Sequence, residues 1–143
     1  MEIAYLILTA GQNETYAKIG RTDDWEASRH NKYRTHNPIF ELCATIPTRN
    51  AAMSRQIEWA FGVLMGHQNS KDGTEWYKVT DMAIVDEFRK VKTLYDLLIF
   101  CNYYAVTRNS INYYRGKLEE ATARSSKKYY QERLNTMIEL LSY

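Results

Sequence analysis

Proline, cysteine and glycine are all scarce in this chain of 143 residues, which has 2 Pro, 2 Cys and 6 Gly. Collagen-like chains and low-complexity disordered chains are rich in proline or glycine, so both classes are excluded. Cys43 and Cys101 lie far apart in apolar stretches, and neither has a His or a second Cys at ligand spacing. We therefore expect two reduced core thiols rather than a disulfide or a cysteine-bound metal.

The sequence also lacks a long apolar run and a strong charge of either sign. No stretch reaches the roughly 18 apolar residues of a membrane-spanning helix, and Glu2 stands where a secretory signal has basic residues. We therefore expect a cytoplasmic protein without membrane contact. The 19 Lys and Arg against 17 Asp and Glu give a net charge of only +2, unlike the strongly basic balance of histone-like proteins. Between Lys18 and Arg55, however, seven basic residues face four acids, which suits a phosphate-contacting surface.

Hydrophobic periodicity in the first 80 residues predicts an α+β fold. Residues 3–9 form an apolar run and residues 16–22 alternate, which indicates two strands joined as a hairpin, and residues 39–46 give a third strand after Pro38. We predict a three-stranded, largely antiparallel sheet flanked by helices over residues 23–34 and 50–65, the second of them capped by Asn50. A further short edge strand is expected over residues 75–79.

Beyond residue 81 the pattern becomes helical, which divides the chain into a domain of residues 1–80 and a helical extension of residues 81–143. Helices are predicted over residues 82–101 and 108–141, the latter with a polar break at Ser125 and Ser126. An apolar seam with near-heptad spacing runs along the second: Ile111, Tyr114, Leu118 and Ala121. The seam either folds back within the chain or meets its own copy in a homodimer, and the extension could also bind another protein.

Aromatic residues admit two interpretations. The chain has 12 Tyr against 4 Phe, and tyrosine pairs occur at positions 103–104, 113–114 and 129–130. These pairs fit half-buried helix faces, with nucleotide stacking as the alternative. The same choice between packing and stacking applies to Trp59, Trp76 and Tyr77, whereas the three histidines, His30, His36 and His67, are read as surface residues.

Several short motifs occur in a set order over residues 3–80. IAYLI is followed by YAKIGRT, then by Arg29 with Tyr33 one helical turn later, an Asn-Pro step, Glu58 in the middle of a helix, and EWY. In order and spacing this series resembles the GIY-YIG nuclease family, and more narrowly the branch from bacteriophages and large DNA viruses in which KIGRT forms the second motif. The resemblance does not extend to the C-terminal helices.

The resemblance implies a metal-dependent endonuclease that cleaves DNA by direct attack of water. Tyr5 would activate or orient the water, and Lys18 and Arg21 on the adjacent strand would supply the positive charge that a tyrosine needs to act as a base. Arg29 would contact the scissile phosphate, with Tyr33 on the same helix face. Glu58 would hold a single Mg²⁺ or Mn²⁺ ion, which would arrive with the substrate.

The chain departs from the family pattern at several positions. Ile3 replaces the first glycine, and Lys18 replaces the tyrosine of the second motif, for which Tyr16 on the same strand face is a substitute. Gly62 stands four residues after Glu58, where the viral branch often has histidine. These departures leave an alternative open, a catalytically inactive GIY-YIG-like domain that binds nucleic acid or protein as an accessory or inhibitory factor of a virus or mobile element.

Overall fold

The structure, a computed structural model, describes residues 1–10, 14–24, 40–71 and 74–142. In these ranges the chain is α+β, with one four-stranded antiparallel sheet and five α-helices. The strands are β1 (Ile3–Ala10), β2 (Thr15–Thr22), β3 (Phe40–Pro47) and β4 (Tyr77–Val79). The helices are α1 (Ala51–Met65), α2 (Met82–Lys90), α3 (Leu94–Phe100), α4 (Tyr103–Glu120) and α5 (Arg124–Leu141), and a single 3₁₀ turn covers His67–Asn69.

The sheet has the strand order β3-β1-β2-β4. The predicted hairpin is confirmed, with Tyr5 opposite Gly20 and Ile7 opposite Lys18. The predicted count of three strands is wrong, because β4 pairs with the start of β2 and adds a fourth. The short edge strand expected over residues 75–79 is confirmed as β4, although its partner strand, more than 50 residues away in sequence, is known only from the tertiary structure.

Alternation along β1 sends its side chains to two different faces of the sheet. Ala4, Leu6 and Leu8 join the hydrophobic core beneath α1, whereas Tyr5 and Ile7 are buried on the opposite face. The ring of Tyr5 crosses the backbone of β2 and fills the space that a Cβ on residue 20 would take. A glycine is therefore required at position 20 by this close approach.

α1 begins where the sequence predicted. The Asn50 side chain accepts a hydrogen bond from the Met53 amide at 2.8 Å, which satisfies one of the unpaired donors of the first turn. Met53, Ile57 and Phe61 are buried at helical spacing against the sheet. Because this stripe fixes the rotation of the helix, the neighbouring positions project from its flanks.

The helix predicted over residues 82–101 is interrupted. α2 ends at Lys90 and α3 begins at Leu94, where Thr93 and Asp96 form a reciprocal capping box. Val91, in the break, is nevertheless buried in the core. The apolar pattern of the sequence therefore continues through the break between α2 and α3, and the break is visible only in the backbone and capping hydrogen bonds.

The second predicted helix, over residues 108–141, is two helices that pack against each other. α4 ends at Glu120 and α5 begins at Arg124, so the break lies just before the expected serines. The Tyr103 hydroxyl donates to the Leu140 carbonyl, and Arg133 donates to the Tyr114 hydroxyl, which makes the pair antiparallel. Much of the predicted seam is thus covered within the chain, and a homodimer stays a prediction.

One continuous core joins the sheet to the C-terminal helices. Buried side chains from β1, α1, α2, α4 and α5 belong to the same cluster, for example Leu6, Ile57, Phe88, Ile111 and Met137. The division into domains at residue 80 stays a prediction. Among the described residues, no helix is both long enough and apolar enough to cross a membrane.

Candidate functional site

The edge of β2 beyond β4 brings charged side chains together. β4 accompanies β2 only as far as Ala17, which lies opposite Tyr77. Glu75, two residues before the start of β4, places its carboxylate 3.1 Å from the Lys18 amine, and the amine lies 5.6 Å from the centre of the Trp76 ring. The Lys18 side chain is only 10% exposed whereas that of Glu75 is 60% exposed, so this ion pair marks the boundary between protein and solvent.

Arg21, three residues further along β2, is held by Glu2. Its guanidinium donates through Nε at 2.8 Å and through a terminal nitrogen at 3.3 Å to the two carboxylate oxygens. This double hydrogen bond raises the pKa of Arg21 further above its ordinary value. Since Arg21 pairs with Ala4, it lies on the α1 side of the sheet.

Glu58 lies halfway along α1 and is half-buried. Burial, followed by the negative charge of Glu75, raises the pKa of its carboxyl to about 7, against the opposing effect of Arg21 and Lys18. Glu2 adds a smaller contribution that also raises the pKa. Near neutral pH this carboxyl is therefore divided between its protonated and ionised forms.

We call Glu2, Lys18, Arg21, Glu58 and Glu75 the edge cluster.

A ring cluster borders Glu58 on the side of the 3₁₀ turn. A Cβ placed on Gly62 would lie 2.5 Å from Cε1 of His67 and 2.7 Å from the Tyr77 hydroxyl, so the missing side chain makes room for both rings. The His67 ring also lies 4.8 Å from that of Trp59. Burial raises the pKa of Tyr77, and the nearby Glu75 and Glu58 raise it further. An imidazole thus occupies the space beside Gly62, one helical turn after Glu58.

The charges of the edge cluster suit a divalent cation. Glu75 and Glu2 are paired with Lys18 and Arg21, and burial with a neighbouring carboxylate disfavours the ionised form of Glu58. A divalent cation, which prefers oxygen ligands, would relieve this penalty at Glu58. Among the described residues, no group of three or more His, Cys, Asp or Glu is arranged to hold a metal ion.

The structure brings together part of the predicted set of site residues. Arg21 and Lys18 both act electrostatically on Glu58, although Lys18 pairs with Ile7 and so starts from the sheet face opposite to that of Arg21. Tyr5 is 1% exposed and lies behind Gly20, on the sheet face away from α1. Arg29 and Tyr33, with the predicted helix over residues 23–34, lie outside the described residues, so the predicted convergence of all these side chains stays a prediction.

Sequence reasoning missed Glu2, Glu75 and His67 as neighbours of Glu58. Glu75 belongs to the EWY motif, but its role became visible only when β4 was placed beside β2. His67 was read as a surface residue, and it is exposed, yet its ring lies against Gly62. The absent side chain at position 62 was the one available signal.

Comparisons of the chain with protein-family models, with curated proteins and with solved structures give no match.

Proposed function

We propose that this protein is a metal-dependent endonuclease that hydrolyses DNA phosphodiester bonds at a GIY-YIG-like site in the edge cluster. The observation that carries the proposal is Glu58, a half-buried carboxyl whose pKa is raised to about 7 although two cations of the KIGRT strand, Lys18 and Arg21, act on it in the opposite direction. The family resemblance of residues 3–80 supports it. The strand that carries the first motif lies next to the strand that carries the second, with Glu58 on the helix after β3.

In this proposal Lys18 and Arg21 bind the phosphate oxygens of the substrate. Each now contacts a carboxylate of the chain, Glu75 or Glu2, so a phosphate has to compete with that partner. Glu75, the partner of Lys18, is well exposed and can turn towards solvent, whereas the Lys18 side chain is only 10% exposed, so a phosphate would reach its amine in the place that Glu75 now occupies. Arg21 is held more firmly by two hydrogen bonds and serves better to fix the local geometry.

Glu58, with Glu75 nearby, would hold Mg²⁺ or Mn²⁺, which supplies Lewis-acid stabilisation of the charge on the phosphate and the leaving oxygen. The half-buried position of Glu58 lowers the local dielectric and so strengthens its attraction for a cation. By the resemblance, Arg29 with Tyr33 would grip the scissile phosphate, and the water-orienting role would fall to Tyr5. Tyr5 is buried on the sheet face away from α1, so its hydroxyl does not reach a water held beside Glu58 in this arrangement. Lys18, close behind Glu75, balances the negative charge when substrate is absent.

The decisive experiment is incubation of the purified protein with supercoiled, linear and branched DNA in the presence of Mg²⁺ or Mn²⁺. We expect nicking or cleavage, and a loss of at least roughly a hundredfold in rate for Glu58→Gln. Glu119→Gln, an exposed acid on α4, is the matched control and should cleave like the unaltered chain. Unfolding curves show whether each variant is folded.

A catalytically inactive DNA-binding or protein-binding domain, acting as an accessory or inhibitory factor, is the second candidate. The ion pairs of Lys18 and Arg21 favour its protein-binding form, because both cations are already balanced by carboxylates of the chain and are less available to phosphates. Absence of metal-dependent cleavage on every DNA form, with binding retained, would establish this candidate. Equal cleavage by Glu58→Gln and the unaltered protein would show that Glu58 takes no part in the reaction.

A further inference from the structure

A groove runs between α1, α4 and α5. It has a volume of about 830 Å³, within the range of about 300–1,000 Å³ typical of sites for small organic ligands. It is large enough for one or two nucleotides and too small for a double helix. We call it the arginine groove, after Arg55 on α1 and Arg133 on α5, which both line it.

The charge of the groove has a single sign. Arg55 and Arg133 are the charged residues among its described lining, and both are cations. Arg55 is exposed on its helix, whereas Arg133 donates to the Tyr114 hydroxyl at 3.3 Å with its guanidinium 5.5 Å from the ring centre. One arginine is thus positioned by the protein, while the other extends from the rim. A ligand that carries negative charge fits this arrangement.

Aromatic rings supply the second feature of the groove. Trp59 on α1 is 52% exposed and Tyr113 on α4 is 56% exposed, although both line the groove. Flat apolar surfaces of this kind beside arginines form the platforms on which nucleic-acid bases stack. Amide and hydroxyl groups lie between the rings, where Gln56 donates to Ser110 at 3.3 Å and ties α1 to α4.

Helix geometry connects this groove to the edge cluster. Glu58 and Trp59 are consecutive residues of α1 and therefore project about 100° apart around the helix. Arg55 lies one turn before Trp59 and on the same face. A nucleic-acid strand that passes Glu58 could thus cross Trp59 and continue into the groove without leaving the surface of α1.

We propose that the arginine groove binds a single-stranded nucleic-acid segment, with bases stacked on Trp59 and Tyr113 and phosphates paired with Arg55 and Arg133. The assignment of this segment as the overhang of a branched substrate rests on the proposed function, although the binding itself does not. Stacking and backbone pairing together are independent of base sequence.

The test measures binding without cleavage. Fluorescence anisotropy of labelled oligothymidine, and of a labelled duplex of equal length, is recorded in EDTA with Glu58→Gln protein. We expect Arg55→Ala and Trp59→Ala each to weaken oligothymidine binding about tenfold. Arg108→Ala, an exposed arginine of α4, and Tyr95→Ala, an exposed aromatic of α3, are the matched controls and should change it less than about twofold.

Two outcomes overturn the inference. One is equal affinity of the Arg55→Ala and Arg108→Ala proteins for oligothymidine. The other is displacement of oligothymidine by polyglutamate as readily as by unlabelled oligothymidine, which would assign the groove to an acidic peptide. Cleavage of duplex DNA is measured separately with the unaltered chain and Mg²⁺. If duplex DNA is cleaved but oligothymidine binding does not depend on Arg55, only the proposal for the groove is refuted. If oligothymidine binding depends on Arg55 but no DNA is cleaved, only the proposed nuclease activity is refuted.

Discussion

The edge cluster and the arginine groove lie on neighbouring faces of α1 but differ in charge and composition. The edge cluster combines three carboxylates with two cations, and its central carboxyl, Glu58, has a pKa raised to about 7. The groove combines two arginines with exposed aromatic rings. The edge cluster suits a metal cation and a phosphate. The groove suits a single nucleic-acid strand, whose phosphates are anionic and whose bases are flat. One helix can therefore present two different chemistries through residues that are adjacent in sequence.

The two regions also differ in how tightly they are built. In the sheet, Tyr5 packs against Gly20 with no room for another atom. In α4, which forms one wall of the groove, a Cβ on Gly116 would meet no atom within 4 Å. The same chemical change, Gly to Ala, should thus have opposite effects in the two regions.

The largest expected effect concerns DNA affinity at the edge cluster. Replacing both Lys18 and Arg21 with Gln should weaken duplex binding roughly tenfold or more and lower the slope of log affinity against log salt by about two, because each phosphate contact contributes about one. Anisotropy titrations over a range of salt concentrations measure both quantities.

Lys90→Gln with Lys92→Gln, two exposed lysines near the end of α2, is the matched control for charge. An unchanged salt slope in the Lys18 and Arg21 double variant would separate the edge cluster from nucleic-acid binding. The arginine groove would then be the one proposed nucleic-acid surface of the two regions.

The next effect is structural. Gly20→Ala should lower the free energy of unfolding by about 1–3 kcal/mol, since the added methyl collides with the Tyr5 ring, which is fully buried and has no room to move. Urea denaturation followed by circular dichroism measures the change. A neutral result would mean that Tyr5 readily adopts another position, and its proposed place in the site would need revision.

A smaller effect concerns pH. The folded-state pKa of Glu58 is about 7, above its ordinary value of 4.5, so the folded protein retains this proton more strongly than the unfolded chain. The stability associated with Glu58 is therefore fully present below pH 4.5 and is lost as pH rises towards and through 7. In EDTA, Glu58→Gln should be more stable than the unaltered chain by about 1 kcal/mol at alkaline pH, allowing for partial solvation, and nearly equal in acid.

Thermal unfolding across this pH range measures the stability of each protein. Glu119→Gln is the control, because its difference in stability from the unaltered chain should not vary with pH. Addition of Mn²⁺ at alkaline pH should raise the melting temperature of the unaltered chain more than that of Glu58→Gln, because the ion compensates the carboxylate charge. A pH-independent difference between Glu58→Gln and the unaltered chain would contradict the electrostatic account of the edge cluster.

The smallest effect has the opposite sign. Gly116→Ala in the interior of α4 should raise the free energy of unfolding by about 0.5–1 kcal/mol, because alanine restricts the unfolded chain and there is space for its methyl. The same urea denaturation experiment serves for Gly20→Ala and Gly116→Ala. Loss of stability at position 116 would show that close packing extends into the helical region as well.

Much of the local structure could be predicted from particular residues. Asn50 indicated the start of α1, and the apolar run of residues 3–9 with the alternation of residues 16–22 predicted the hairpin. Helix boundaries were predicted less well where a capping side chain ends a helix inside a continuous apolar pattern. Thr93 with Asp96 divides one predicted helix into two, although the buried Val91 keeps the periodicity intact.

The sequence by itself determined the secondary structure of the sheet region and the candidate role of Glu58, since helix caps, strand alternation and motif spacing are local properties. Only the tertiary structure decided which charges surround that carboxyl. Glu2, Lys18 and Glu75 are remote from Glu58 in sequence and act on it electrostatically because β1 pairs with β2, β4 pairs with the start of β2, and α1 packs on the sheet. The pKa of a carboxyl depends on burial and on charges nearby in space, and neither is encoded at the position of the residue itself.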